Sequence, residues 1–301
     1  MRRRDFIYHS AFLGAGLSLV PSELFAADYK KITVLHTNDV HSRIEPFPLD
    51  DKYYPGQGGF ARRAALVNKI RQQEKNVVLL DSGDIFQGTP YFNYFGGELE
   101  FKLMSEMGYD AATLGNHDFD AGLEGLNKQL PHATFPFVSA NYDFSDTIMA
   151  EKIEKFTIIE REGIKIGIFG LGIELEGLVP KKLYGQTRYS DPVKEANKLA
   201  LFLKSKEECH VIICLSHLGY YYNSNKISDM ELAVQTKNID LILGGHTHTF
   251  MEAPMIIENI DNEQVVINQV GWAGVLLGKI DIFVSKKSEK KEFFSQTVKV
   301  R

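Results

Sequence analysis

The sequence predicts an α/β fold in which two facing mixed β-sheets are flanked by helices, and three observations predict it. Short apolar runs alternate with segments whose apolar residues recur at helical spacing over residues 32–243. Beyond residue 260 the apolar runs follow one another without helical segments, which adds a second, more antiparallel sheet. Five of the runs end in a side chain able to bind a metal, and ligands of α/β sheets sit beyond the carboxyl ends of the strands.

Taken in order, 32–37 is an apolar strand interspersed with Thr33, His36 and Thr37, followed by a loop rich in proline and glycine (Pro46, Pro48, Pro55, Gly56, Gly58, Gly59). Phe60–Gln73 carries Ala61, Ala64, Ala65, Val67 and Ile70 at helical spacing. Strand 77–81, helix 98–107 ended by Gly108, strand 111–114 and a short helix 122–129 stopped by Pro131 come next. Residues 135–140 are a strand candidate, and strands 156–160 and 164–169 flank Arg161-Glu162-Gly163 as a hairpin. Helix 191–204 has Asp191 as its N-cap and Pro192 in its first turn. Strand 211–215, helix 228–236, strand 240–243 and β-rich segments near 265–270, 275–284 and 292–300 follow.

Of the 301 residues, 44% are hydrophobic and 24% charged, enough apolar material for one large core. No linker or internal repeat divides the chain, so a single domain over 28–301 is expected. The net charge of −5, with Lys and Arg scattered, argues against a general nucleic-acid binder. Residues 1–27 read as an export signal: a basic start at Met1-Arg2-Arg3-Arg4, small and apolar residues over 11–20, then Pro21 and Leu24-Phe25-Ala26-Ala27. That apolar run is far shorter than the ~20 residues needed to span a bilayer. Arg3-Arg4-Asp5-Phe6-Ile7 resembles a twin-arginine signal, the alternative being a general secretory signal with extra arginines. Either reading makes the protein periplasmic or otherwise exported. Cys209 and Cys214 are not expected to pair, and Cys214 reads as a small buried apolar residue.

The chemistry lies in the five run ends. They are Asn38-Asp39-Val40-His41, Ser82-Gly83-Asp84, Gly115-Asn116-His117-Asp118, Ser216-His217 and Gly244-Gly245-His246-Thr247-His248. Asp39, His41, Asp84, Asn116, His217, His246 and His248 form a mixed N/O donor set, with Asp84 able to bridge two cations through its two oxygens. Residues two apart in extended chain point the same way, so Asp39 and His41 can both reach one ion, and His246-x-His248 repeats that spacing. Gly83, Gly115, Gly244 and Gly245 are expected to permit tight turns before the ligands. Seven ligands with one shared carboxylate make two sites of about four, which suits two ions of Zn, Mn, Fe or Co that acidify a water and clamp phosphoryl oxygens. Asp39, Asp84 and Asp118 also fit the blander role of turn or cap residues, and Asp118 is expected to be structural. Asp81 is expected to be hydrogen-bonded at its strand end, His36 to pack in the core, and His132 and His210 to lie at the surface. Tyr220-Tyr221-Tyr222-Asn223 is read either as a substrate wall or as packing at a loop base.

The set as a whole resembles the calcineurin-like metallophosphoesterase superfamily, whose signature D-x-H, G-D-x-x, G-N-H-[DE], a lone His and G-H-x-H stands here in order. Leu35-His36-Thr37-Asn38-Asp39-Val40-His41 and Asp81-Ser82-Gly83-Asp84-Ile85-Phe86-Gln87-Gly88 look like its 5′-nucleotidase branch. The resemblance implies a four-layer sandwich and a dinuclear-metal phosphoric ester hydrolase, with a phosphomonoester, a nucleotide above all, attacked at phosphorus by metal-activated hydroxide. It implies one metal on Asp39, His41, Asp84 and His248, and a second on Asp84, Asn116, His217 and His246. His117 would stabilise the transition state and Asp120 would orient it. Members of that branch carry a further C-terminal domain that binds the nucleoside, whereas this sequence stops about 50 residues past His248. A separate chain supplying that domain is therefore expected, or action on simpler esters. Alternatives are a phosphodiester, nucleotide-sugar or sulfur-ester hydrolase of the same superfamily, or a noncatalytic metal-bearing subunit. The last is disfavoured because His117 and all seven ligands are present.

Overall fold

The computed structural model describes residues 29–285 and 290–301, so the expected export signal over 1–27 lies outside the described residues. The strands are β1 (Tyr29–Thr37), β2 (Val77–Asp81), β3 (Ala111–Ala112), β4 (Tyr142–Asp143), β5 (Phe156–Arg161), β6 (Ile164–Leu171), β7 (Arg188–Tyr189), β8 (Val211–Ser216), β9 (Leu241–Leu243), β10 (Met255–Glu258), β11 (Gln264–Asn268), β12 (Leu276–Ser285) and β13 (Lys291–Lys299). The α-helices are α1 (Phe60–Gln73), α2 (Pro90–Phe95), α3 (Glu98–Glu106), α4 (Gly122–Gln129), α5 (Lys181–Tyr184), α6 (Pro192–Ser205) and α7 (Asp229–Gln235).

Two mixed sheets face each other. One has the order β13-β12-β1-β2-β3, the other β10-β11-β9-β8-β6-β5. Strands β1, β2 and β3 are parallel, as are β6, β8, β9 and β11, while the edge pairs β12–β13, β5–β6 and β10–β11 are antiparallel. The period of two along each strand builds the layers. In β8, Val211, Ile213 and Leu215 join Ile32, Val34, Val78 and Leu80 in a dry slab between the sheets. The alternate residues Ile212 and Cys214 pack outward with Leu199 and Leu203 of α6 and Leu232 of α7. Leu35 and Leu79 of the first sheet pack outward on Val67 and Ile70 of α1 and on Phe101 and Met104 of α3. The result is the expected order helix, sheet, sheet, helix.

Local chemistry sets the helix starts. The Asp191 carboxylate accepts from the amides of Val193 and Lys194 ahead of α6, with Pro192 at its first position, a cap of about 1 kcal/mol. Ser228 caps α7 through the Glu231 amide. Residues 135–140 form only isolated bridges, Ala112 to Phe137 and Val138 to Glu154, because Pro136 interrupts the ladder. Helices α2 and α5 and the β4–β7 ribbon had no pattern long enough to announce them. His132 and His210 are half-buried rather than on the surface; the His210 ring accepts the Lys165 amide. Cys209 and Cys214 are both buried and free, and burial raises both thiols.

His36 is fully buried in β1, where the Asn268 amide group lies 3.1 Å from its Nε2, and burial lowers it to about 3. It stays neutral in the fold but takes a proton in the unfolded chain below pH ~6.5. Its contribution is therefore intact above that pH and declines, by about 1.4 kcal/mol per pH unit, as pH falls toward 3. Urea unfolding from pH 7 to pH 4 should show a shallower decline for His36→Gln than for the wild type; equal slopes would contradict this role.

Candidate metal centre

The carboxyl ends of β1, β2, β3, β8 and β9 open onto one rim, and all seven predicted ligands lie there. Their donor atoms form two compact groups, Asp39, His41 and His248, and Asp84, His217 and His246, with the atoms of each group within 4.8 Å of one another. Asp84 Oδ2 lies 3.1 Å from His217 Nε2 and 3.9 Å from His41 Nε2, so its carboxylate reaches both groups. Asn116 Oδ1 is 2.8 Å from His246 Nδ1 and joins the second group. Asp39 and His41 enter the same group, whereas His246 and His248 enter different groups.

Asp39, His41, Asp84, His246 and His248 all adopt positive φ, between 50° and 70°. This left-handed conformation costs a side-chain-bearing residue of order 1 kcal/mol or more and persists only where surroundings impose it. The glycines serve differently from expectation. Gly115, Gly244 and Gly245 are absent from the positive-φ positions, and only Gly83, at 87°, makes a glycine-type turn. They are needed for close approach instead: a Cβ on Gly115 would sit 2.2 Å from Asp84 Oδ1 and 2.6 Å from His217 Cε1, and one on Gly244 2.2 Å from Asp229 Oδ2.

Hydrogen bonds hold the loops in register. The buried Asp118 carboxylate accepts four backbone N–H groups, from Gly115 at 2.8 Å, Asp84 and Ile85 at 3.0 Å, and Phe86 at 3.1 Å, tying the β2 and β3 loops together. Asp81 accepts Thr37 Oγ1 at 2.5 Å and the Gly83 amide at 2.9 Å, as its strand-end position suggested. His217 Nδ1 donates to Ser82 O at 2.7 Å, and His41 Nδ1 to Phe86 O at 3.3 Å, which aims Nε2 of each ring into the centre. Both oxygens of Asp39 accept the His246 amide at 3.0 Å. The sequence reading passed over Asn38, whose side chain bonds Asp39, Gly271 O and the Val270 amide, and over Asp229, which accepts Ser216 Oγ. Tyr220 donates its amide to Thr247 Oγ1 and Tyr222 its hydroxyl to Leu218 O, so both pack at the loop base while Tyr221 is exposed.

Electrostatics ask for cations. Asp39, Asp81, Asp84, Asp118 and Asp229 are all buried, and among the described residues none has a Lys or Arg within ion-pair distance. Burial pushes Asp81 up to about 7 and Asp229 up to about 8. Burial also disfavours charge on His217, yet the Asp84 carboxylate beside it, with Asp39, raises the ring to about 10. Burial lowers His246 to about 4, aided by His217. His217 Nε2 is buried without a hydrogen-bond partner. An orphaned imidazole nitrogen aimed at carboxylate oxygens, within an N/O donor set, fits a divalent transition-metal ion. Beside the first group, His117 Nδ1 donates to Asp120 Oδ2 at 2.8 Å, and the His41 and His117 rings are 5.3 Å apart edge to face.

A family model described as calcineurin-like phosphoesterase matches residues 32–250. The chain is 35% identical over 286 residues to a snake venom 5′-nucleotidase of Gloydius brevicauda, a match covering 87% of this chain and 47% of the relative. It is 34% identical over 292 residues to a 5′-nucleotidase of Vibrio cholerae, covering 89% and 51%. The crystal structure of a 5′-nucleotidase precursor from Thermus thermophilus superposes with a TM-score of 0.80 at 29% identity, over 90% of this chain and 55% of that one. The chain thus spans about half the length of these relatives.

Gly115→Ala places a methyl group where Asp84 Oδ1 and the His217 ring now sit. The expected result is a folded protein, by far-UV circular dichroism, whose affinity for Mn²⁺ or Zn²⁺ in equilibrium dialysis falls about 10–100-fold, the usual cost of displacing a ligand's support. Undiminished affinity would mean that the two loops separate freely.

Proposed function

The chain belongs to the calcineurin-like phosphoesterase family, and we propose that it is a dinuclear-metal hydrolase of phosphoric monoesters, with 5′-nucleotides as its substrate class. The observation that carries the proposal is the pair of donor groups sharing Asp84, set beside an intact His117–Asp120 pair. We assign Asp39, His41, Asp84 and His248 to one ion, and Asp84, Asn116, His217 and His246 to the other. Two divalent ions there would supply Lewis acidity to the phosphoryl oxygens and bring the pKa of water toward neutrality.

The chain's own residues do the rest. Asp120 accepts from His117 Nδ1, which fixes the ring and leaves Nε2 as the outward donor. The hydrogen bond to Asp120 raises the pKa of His117 against partial burial, and the Asp84 charge assists. A cationic His117 supplies positive charge and a proton to the departing ester oxygen, a preorganised electrostatic contribution. Asn116 offers a neutral oxygen that adds no charge to a centre already rich in carboxylates. We also propose export. The N-terminal pattern supports it, and among the described residues no helix is long and apolar enough to cross a membrane.

Hydrolysis of AMP, bis-p-nitrophenyl phosphate and UDP-glucose, with and without Mn²⁺ or Zn²⁺, separates monoesterase, diesterase and nucleotide-sugar activity. Metal-dependent turnover of AMP above the others is expected; two bound ions with no turnover of any ester would leave only a binding role. His117→Ala should keep both ions by metal analysis and lose about 10²–10³ in kcat, whereas Asp84→Ala should lose the ions themselves. The active form of His117 is protonated, so activity declines as pH rises through its raised pKa. Asp120→Asn removes the largest cause of that rise. The basic limb of kcat/KM for p-nitrophenyl phosphate should then move to lower pH, and an unmoved limb would refute the orienting role of Asp120.

A further inference from the structure

Trp272 is the only tryptophan in the chain and stands half-buried beside the first donor group. Its ring lies parallel to that of His248, with centroids 5.7 Å apart and an angle of 4° between planes. It also meets His41 edge to face, at 6.5 Å. Phe47 and Tyr54 abut it edge to face at 6.1 and 6.3 Å and pin it in place.

The segment that carries Trp272 is latched to the metal loop. Asn38 Nδ2 donates to Gly271 O at 2.7 Å, the Val270 amide donates to Asn38 Oδ1 at 2.9 Å, and the Ala273 amide donates to Asp39 O at 2.7 Å. The indole is therefore placed by the loop that supplies Asp39 and His41.

His248 needs such a support more than His41 or His217 does. Its side chain is 38% exposed, against 8% for His41 and none for His217. The rings of His41 and His217 are each aimed by a hydrogen bond from Nδ1 to a backbone carbonyl. His248 Nε2 faces His41 and Asp39 at 3.1 and 3.3 Å, and among the described residues its Nδ1 has no hydrogen-bond partner. An imidazole that ligates a metal ordinarily has its other nitrogen held, because an unheld ring turns about its side-chain bonds. Here a flat aromatic surface takes that place: aromatic pairs gain about 0.5–1.5 kcal/mol beyond burial, and gain it only in defined orientations.

We propose that Trp272 is a positioning residue that orients the His248 imidazole for the ion of the first donor group. The proposal rests on the assignment of that group to a metal, and goes beyond it by naming what sets a ligand more exposed than His41 or His217.

The test uses the full chain, stripped of metal and titrated with Co²⁺. Tryptophan emission reports from Trp272 alone, so the wild type should be quenched as the first group fills, and His248→Ala, which keeps the indole, should lose that phase. Chelator competition on Trp272→Phe, Trp272→Leu and Trp272→Ala then asks whether a plate or mere volume matters. Phenylalanine should stay within about threefold of the wild type, while leucine and alanine should release one of the two ions about 10–100-fold more readily and leave the other unchanged. Thermal unfolding of the metal-free leucine variant, expected near the wild type, separates this from misfolding. A leucine variant that holds both ions as the wild type does would overturn the proposal, because volume alone would suffice. A wild type that binds no ion would instead defeat the metal assignment itself.

Discussion

Buried negative charge at the strand tips is the constraint on which the rest of this structure depends. Five carboxylates are withdrawn from water on one rim, with no Lys or Arg in ion-pair range among the described residues. Leaving such groups ionised and uncompensated costs several kcal/mol each. The protein meets part of that cost with backbone amides, four of them on Asp118 alone, and part with a His217 ring held in its charged form by Asp84. What remains is a centre whose unbalanced carboxylate charge is complementary to cations, which would take the place of the His217 proton. Complementarity to divalent ions is thus built into the fold and not added to a neutral pocket.

The same constraint accounts for the strained backbone. Five of the seven predicted ligands sit at positive φ, where an ordinary side chain is unfavourable. They stay there because their loops are clamped from both sides. Asp118 bridges the β2 and β3 loops, Asn38 fastens the segment around residue 271 to the β1 loop, and the His246 amide is bound to Asp39. The glycines complete the clamp by letting one loop touch another where a methyl group would strike a ligand atom. Strain, clamping and close approach are one device: they replace the freedom of a surface loop with a fixed arrangement of donors, which metal-centred chemistry requires.

Much of this was legible in the sequence, and the reason is periodicity. Helix α1 and strand β2 fall where spacing and alternation put them, and the cap at Asp191 was written in Asp-Pro. The donor residues stood at the ends of apolar runs, so strand polarity alone brought them to one rim. What escaped shares a different character. Helix α2 has six residues, fewer than two turns, and gives no periodic signal. Asn38 reads as one more polar residue in a ligand loop until its partners 232 and 233 positions away are seen. Trp272 carries no signal beyond being the lone tryptophan, because its relation to His248 is created by a cross-sheet latch and not by spacing.

The placement of the donors across the two sheets gives the centre a structural role as well. Asp39, His41, Asp84 and Asn116 follow strands of the first sheet, and His217, His246 and His248 follow strands of the second. Each donor group draws on both, so an ion in either one joins the sheets at their tips, beyond the end of the apolar slab that Ile32, Val34, Ile213 and Leu215 fill. A ligand that binds only the folded chain stabilises it by about 2.7 kcal/mol at a hundred times its dissociation constant. Two ions spanning the interface would each add such a term, acting where the dry packing stops and the buried carboxylates begin. Without cations the sheets are held together by hydrophobic contact at one level and, at the next, by the hydrogen bonds of Asn38, Asp39 and His217 across the tips. On the proposed function, catalytic capacity and cohesion of the sandwich would be two consequences of the same bound charge.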